Sequence, residues 1–388
     1  MKICMVTTDF PCIREDGFTT YGGAGACMGQ LVEGLLANGL EVTVITRREG
    51  GRYSEKYDTR IIRTDYMHFG SLARDSKITH SYYAARELRR LLKTEGFDVI
   101  HSHNPPAALA AIKGIGEKDI PHLLTMHGPW AGVRLNPIKR VIARRIEGYA
   151  VRNATHVTCD APALLDEMIK KYKTPKDKLT YIPNAVDTGF FRPELMAREE
   201  ARNRLGVETD DKIVLYTGRF LREKGVDVLL DSVPKVLKKS PKTLFLLVGG
   251  GYDEKLVSGW VEKNGRFKDK VKVIPYLPYN SMPAAYIASD VLVQPSLAEG
   301  LSRSIMEAMA CGLPIVASKV GGNPELVNDA TGVLTKAGSS RQTAKAIVSL
   351  LGKNHRQMGL NARKQMLGKY SVKRRVDSFI KLYEKLIA

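Results

Sequence analysis

The chain has 388 residues, 44% of them apolar and 26% charged, with a formal net charge of +19. That length exceeds one ordinary hydrophobic core and implies a globular protein of two domains. No apolar run approaches the 18 residues of a membrane span, and the opening "MKICMVTTDF" lacks the long apolar core of a signal peptide.

The five cysteines are scattered, odd in number and without a CxxC pair, which argues against a disulfide framework or a zinc site and for a reducing cytoplasm. The positive excess is heavier in the second half but forms no compact tail, so a nucleic-acid-binding arm is not indicated.

Along the first half, strand-like runs at 2–8, 41–47, 98–103, 122–127 and 156–160 alternate with helical stretches such as 24–38 and 79–94. This alternation predicts a parallel sheet covered by helices on both faces. A long loop, Asp9 to Tyr21, separates the first strand from the glycine-rich "TTYGGAGACMGQL" (19–31) that opens the first helix. Glycines there let backbone N–H groups approach a phosphate, and a helix N-terminus favours negative charge. A dinucleotide fingerprint needs its glycines in the tight turn directly after the strand, and a phosphate-binding P-loop needs Lys-Ser or Lys-Thr after a glycine. Neither is present. The loop reads either as an acceptor-binding element, with Asp9 and Tyr21 as candidates, or as a plain surface loop.

The run "RLNPIKRVIARRIEGYAVR" (134–152) carries six basic residues and one acid with apolar residues between them. It fits a half-buried helix with a basic solvent face, and also peripheral contact with an anionic membrane, which would place the protein at the inner membrane face.

The pattern breaks at "LTYIPNAVDTGFFRPE" (179–194), with Pro183, Gly189 and Pro193, and restarts with runs at 212–218, 243–249, 271–276, 291–296 and 314–318. The expected fold is α/β: two doubly wound, Rossmann-like parallel-sheet domains, 1–187 and 188–371, facing a deep cleft. The amphipathic 372–388 is expected to cross back onto the first domain. Such sheets bind ligands beyond the carboxyl ends of their strands.

In "YTGRFLREKGVDVLLDSV" (216–233), Arg219 and Lys224 follow a strand end and suit a diphosphate: Arg grips two oxygens at once and Lys supplies a mobile point charge. "LVGGGYDEKL" (247–256) repeats the strand-to-glycine theme. "AEGLSRSIMEAMACGLP" (298–314) holds two glutamates eight positions apart, too far round for one helical stripe. The spacing predicts Glu299 on a loop, Ser302 as N-cap, and Glu307 in the second turn of a helix that stops at Gly312. A carboxylate can accept from two neighbouring hydroxyls, so one glutamate suits a ribose and the other a hexose.

These stretches, with "TMHGP" and "PIVASKVGGNPELV", resemble the retaining GT-B glycosyltransferases of family four, the glycogen-synthase-like and mannosyltransferase-like enzymes, over nearly the whole chain. The E-x7-E pattern of Glu299 and Glu307 is the most specific mark. The resemblance implies a nucleotide-sugar donor held by Gly22, Gly23, Arg219, Lys224, Gly250, Leu277, Glu299, Gly300, Leu301, Ser302 and Glu307. Within that set Glu307 takes the ribose, Glu299 the transferred sugar and Gly23 offers a backbone N–H. His127 is implied to lie near the sugar and acceptor, and read alone it fits a structural histidine equally well. "EGLSRS" departs from the family's "EGFG": Leu301 replaces the aromatic and Ser302 the glycine. Arg303 is either a further phosphate contact or a surface residue.

The chain contains no Asp-x-Asp. Arg219, Lys224 and a helix N-terminus can perform the electrostatic work that other glycosyltransferases assign to a metal. No metal and no cofactor is therefore expected, only the nucleotide-sugar co-substrate and a lipid, glycan or small-molecule acceptor. The alternative is a non-catalytic nucleotide-sugar-binding regulator.

Overall fold

A computed structural model describes residues 1–14, 23–48, 52–67, 73–128, 130, 137–208, 210–251, 254–352 and 356–388. Tyr21, Gly22, most of the 9–21 loop and the start of the 134–152 run lie outside the described residues. The chain divides into two compact units, residues 1–184 with 372–388, and 185–371.

In unit 1 the elements are β1 (Lys2–Val6), β2 (Ile13–Arg14), α1 (Gly23–Ala37), β3 (Glu41–Arg47), β4 (Tyr53–Ser54), β5 (Arg60–Thr64) and α2 (Ala73–Thr94). They continue with β6 (Val99–His103), α3 (Asn104–Ile115), β7 (His122–Met126), α4 (Pro137–Asn153), β8 (His156–Cys159), α5 (Pro162–Tyr172) and β9 (Leu179–Tyr181). Seven strands form one sheet in the order β5-β3-β1-β6-β7-β8-β9, and every pairing in it is parallel.

Unit 2 begins with α6 (Arg198–Leu205), β10 (Lys212–Thr217), α7 (Val226–Leu230), α8 (Val233–Leu237), β11 (Thr243–Val248), α9 (Glu254–Lys263), β12 (Val271–Ile274) and α10 (Met282–Ala288). It ends with β13 (Val291–Gln294), α11 (Arg303–Ala310), β14 (Ile315–Ser318), α12 (Asn323–Leu326), β15 (Gly332–Thr335), α13 (Ser340–Leu351) and α14 (Arg356–Lys369). Its parallel sheet runs β12-β11-β10-β13-β14-β15.

Strand parity explains both layers of core. In β10, Ile213 and Leu215 join one buried cluster, and Val214 and Tyr216 join the cluster on the other face. In β11, Leu244, Leu246 and Val248 take the first side, and Phe245 and Leu247 the second. A strand covered on both faces reads as a continuous apolar run, which is why "TLFLLV" shows no alternation. Burying each such side chain contributes about 1.5–3 kcal/mol.

The last helix, α15 (Val372–Ile387), belongs to unit 1. Val376, Phe379, Leu382 and Tyr383 enter the cluster formed with α1, β1 and β3, and Arg375 donates to the Cys27 carbonyl at 2.7 Å.

β9 falls inside the stretch read from sequence as an interdomain break. With three half-buried residues it is too short to display a period. The boundary lies at Asn184/Ala185, three residues before the expected one.

Candidate functional site

In each sheet the strand order reverses once, between β1 and β6 in unit 1 and between β10 and β13 in unit 2. A doubly wound sheet splays its connections apart at such a point, which opens a crevice at the strands' carboxyl ends. The unit 2 crevice receives the loop after β10, carrying Arg219 and Lys224, and the loop after β13, carrying Glu299.

Two glycines let these loops approach closely. Gly225 has φ +70°, and a Cβ there would sit 1.9 Å from the Pro295 carbonyl oxygen. Gly321 has φ +52°, and a Cβ there would meet the Glu299 carbonyl oxygen at 1.9 Å. The backbone beneath Glu299 is thus clamped from both sides, with Leu297 N donating to Glu223 O and Gly322 N to Gly300 O, both at 2.8 Å.

On this base the Lys224 ammonium lies 2.8 Å from both Glu299 oxygens, and Ser296 Oγ donates to Oε1 at 2.8 Å. Gln294 Nε2 in turn donates to Ser296 Oγ at 3.0 Å. Glu299 is 8% exposed and Lys224 22%, so the pair is shielded but reachable. The Arg219 guanidinium enters no hydrogen bond or ion pair among the described residues, which leaves its charge available to an anion.

Glu307 is the fifth residue of α11, in its second turn as the spacing predicts. Tyr286 O–H donates to its Oε2 at 2.8 Å, and Arg303 reaches its Oε1 at 3.1 Å. Tyr286 also lies 3.2 Å from Thr217 Oγ1, and Ser304 Oγ donates to Thr217 O at 3.2 Å, so α10, α11 and the end of β10 are tied together. Burial and the neighbouring Glu307 carboxylate push the Tyr286 phenol well above its usual pKa, which keeps it a donor.

Three expectations change. Ser302 occupies the N-cap position with extended backbone, but its side chain makes no capping bond. Leu301 is 4% exposed and its side chain packs in the unit core, so only its backbone can face a ligand. Arg303 is neither a surface residue nor a lone cation: one turn before Glu307 it pairs with that carboxylate, and its NH2 reaches Tyr279 O–H at 3.3 Å. Of the remaining candidates, the Gly250 carbonyl accepts from Phe220 N at 2.9 Å, and Leu277 is half-buried against the unit core. Tyr286, Thr217, Ser296 and Gln294 were not foreseen. Tyr286 sits in "PAAYIASD", which reads as ordinary core, and only contact with Glu307 reveals its role.

In unit 1, Asp9 follows β1 and Gly23 begins α1. Arg47 donates to Asp9 Oδ1 at 3.3 Å, and Lys77 and Thr8 bond its Oδ2. Burial raises the Asp9 pKa, but Lys77 and Arg47 outweigh it and hold the carboxyl below its usual range. His127 follows β7, and its N–H donates to Asn104 Oδ1 at 3.3 Å. Its ring nitrogens both face protein groups, His103 at 3.0 Å and Asp160 at 3.5 Å. A side-chain contact to a sugar would have to displace one of them.

Residues 21–190 match the family described as Glycosyltransferase Family 4, and residues 197–365 the family Glycosyl transferases group 1. An uncharacterized glycosyltransferase of Methanocaldococcus jannaschii is 28% identical over 346 residues, covering 84% of this chain and 83% of its own. Among solved structures, sucrose-phosphate synthase from Thermosynechococcus elongatus superposes with a TM-score of 0.86 at 22% identity, covering 100% of this chain and 99% of that one. HepE of Anabaena, in complex with UDP-glucose, gives 0.79 at 18% identity, covering 99% and 100%.

Proposed function

Because the chain belongs to the GT-B glycosyltransferases of the family-four type, we propose that it moves a hexosyl unit from a UDP- or GDP-linked sugar to a lipid, glycan or small-molecule acceptor with retained configuration. The observation that carries this is the grouping of Arg219, Lys224, Glu299 and Glu307 around the unit 2 switch point. A UDP donor is favoured by the UDP-glucose named in the HepE complex.

Arg219 and Lys224 hold the diphosphate and neutralise the charge that grows on it as the glycosidic bond breaks. Fixed cations of this kind make a metal unnecessary; loss of turnover on adding a chelator would contradict that. Glu299 accepts from the hydroxyls of the transferred sugar. Glu307, whose oxygens each keep a lone pair after meeting Tyr286 and Arg303, accepts from the ribose. Among the described residues no carboxylate stands as an obvious nucleophile, so the acceptor attacks from the face the diphosphate leaves, and the departing phosphate takes its proton.

Peripheral membrane contact is supported by α4. Ile138, Val141 and Ile142 are exposed on it, Ile138 by 74%, beside Arg144 and Arg145. Among the described residues no helix is long and apolar enough to cross a membrane.

A panel of nucleotide sugars tests the main reading: a true donor raises the melting temperature and releases its nucleoside diphosphate on adding an acceptor. Stabilisation with no release for any acceptor would favour a regulator instead.

A further inference from the structure

The chemistry above leaves unused a row of buried polar groups at the carboxyl ends of four neighbouring strands in unit 1. His103 closes β6, His127 follows β7, Asp160 follows β8, and Asn184 lies beyond β9. The His103 and His127 rings are nearly parallel, at 7°, with centroids 5.3 Å apart and His103 Nδ1 3.0 Å from His127 Nε2. That nitrogen–nitrogen distance means the rings meet edge to edge through one N–H···N bond. On the far side of His127, Nδ1 lies 3.5 Å from Asp160 Oδ2, which also accepts from Asn184 Nδ2 at 2.8 Å.

Two neutral imidazoles share one proton across such a bond, and their surroundings decide which ring donates. Suppose His127 donates from Nε2. His103 then carries its own proton on Nε2, a buried nitrogen with no partner among the described residues. His127 would also turn a bare lone pair toward the Asp160 carboxylate. A doubly protonated His127 leaves the same orphaned N–H on His103. Suppose instead that His103 donates from Nδ1. Its buried Nε2 is then only an unfilled lone pair, and His127 carries its proton on Nδ1, which makes no hydrogen bond but lies 3.5 Å from the Asp160 carboxylate. Either arrangement leaves one N–H without a hydrogen bond, but an N–H 3.5 Å from a carboxylate is drawn by its charge, whereas a lone pair in that place is repelled.

We propose that His103 and Asp160 are positioning residues that hold His127 as its Nδ1–H tautomer, with Asn184 fixing the carboxylate. The ring cannot turn without breaking both contacts, so the backbone after β7 is delivered in one geometry. The effect on catalysis rests on the reading of His127 as part of the acceptor-side site; the tautomer does not.

The test uses the full chain labelled with 15N-histidine and a two-bond 1H–15N correlation spectrum, in which His127→Gln identifies the His127 signals. The expected pattern is Nδ1–H, and an Nε2–H pattern overturns the proposal. Asp160→Leu keeps the branched shape and removes the oxygen that faces both His127 Nδ1 and Asn184 Nδ2. It should shift His127 off that tautomer and lower kcat on the order of 10-fold, with the donor KM within about twofold. An unchanged spectrum and kcat would overturn the proposal as well. If Asp160→Leu does not fold, the unsubstituted protein's spectrum decides alone. The spectrum needs no substrate, so absence of turnover with every donor is a separate failure, that of the transferase reading.

Discussion

Lys224 and Glu299, 75 positions apart in the chain, meet with the ammonium 2.8 Å from both carboxylate oxygens. Each neutralises the other in a shielded place, so neither stands as an uncompensated charge before a ligand arrives. A diphosphate that draws Lys224 toward itself would release Glu299 for sugar hydroxyls, which couples the two halves of donor recognition.

Glu299→Gln should therefore lower kcat by on the order of 100-fold while leaving the nucleoside diphosphate Kd within about threefold, as removal of one group aimed at the reacting centre does. Steady-state kinetics and calorimetric titration of the nucleotide separate the two. Equal loss in both would remove the assigned role.

Tyr286→Phe deletes the donor to Glu307 Oε2 and the contact with Thr217. A buried carboxylate short of one donor costs about 1–3 kcal/mol. A lower urea midpoint is expected, together with several-fold weaker nucleotide binding. A variant with native affinity would mean that Glu307 does not depend on this support.

Gly225→Ala places a methyl 1.9 Å from a backbone oxygen that cannot yield without moving the Glu299 loop. Gly39, at φ +77° with nothing within 4 Å of its Cβ position, is the control. Gly39→Ala should cost about 1 kcal/mol. Gly225→Ala should cost several-fold more by thermal melting and abolish donor binding.

Acid should unfold unit 1 early. Burial pushes the His122 imidazole down to about 3 from its ordinary 6.5, and His80 down to about 4. Both are neutral when folded, so their stabilising effect is complete above pH 6.5 and is lost as pH falls toward 4 and 3. Each contributes up to about 1.4 kcal/mol per pH unit in that window. His122→Gln should flatten the decline in urea midpoint between pH 6.5 and 4, and an unchanged slope would refute the assignment.

Ile138→Asp with Ile142→Asp should reduce co-sedimentation with anionic vesicles at least about 10-fold, while nucleotide affinity stays unchanged. Equal pelleting of both proteins, or no preference for anionic over zwitterionic vesicles, would remove α4 as a membrane contact.

Much of this was legible in the sequence because parallel strands buried on both faces are long apolar runs: "TLFLLV" needs no partner to be recognised. Glu299 and Glu307 could be placed on a loop and a helix because Ser302, Gly312 and Pro314 punctuate the chain around them. What escaped was short or depended on contact. β9 is three residues long. Leu301 occupies an aromatic's position in the motif yet packs inward, a choice that the volume of the surrounding core makes. The bond from Tyr286 to Glu307 joins positions 21 apart that only the folded chain brings together.

The placement of α15 in unit 1 has a consequence for synthesis. The core around α1, β1 and β3 lacks Val376, Phe379, Leu382 and Tyr383 until α15 has been added. Every residue of unit 2 is translated before that moment. On the ribosome, then, unit 1 must wait for a helix made after unit 2, while unit 2 can fold ahead of it. A nascent chain arrested before Val372 should expose the apolar groove of α1 to chaperones, and release from arrest should close it.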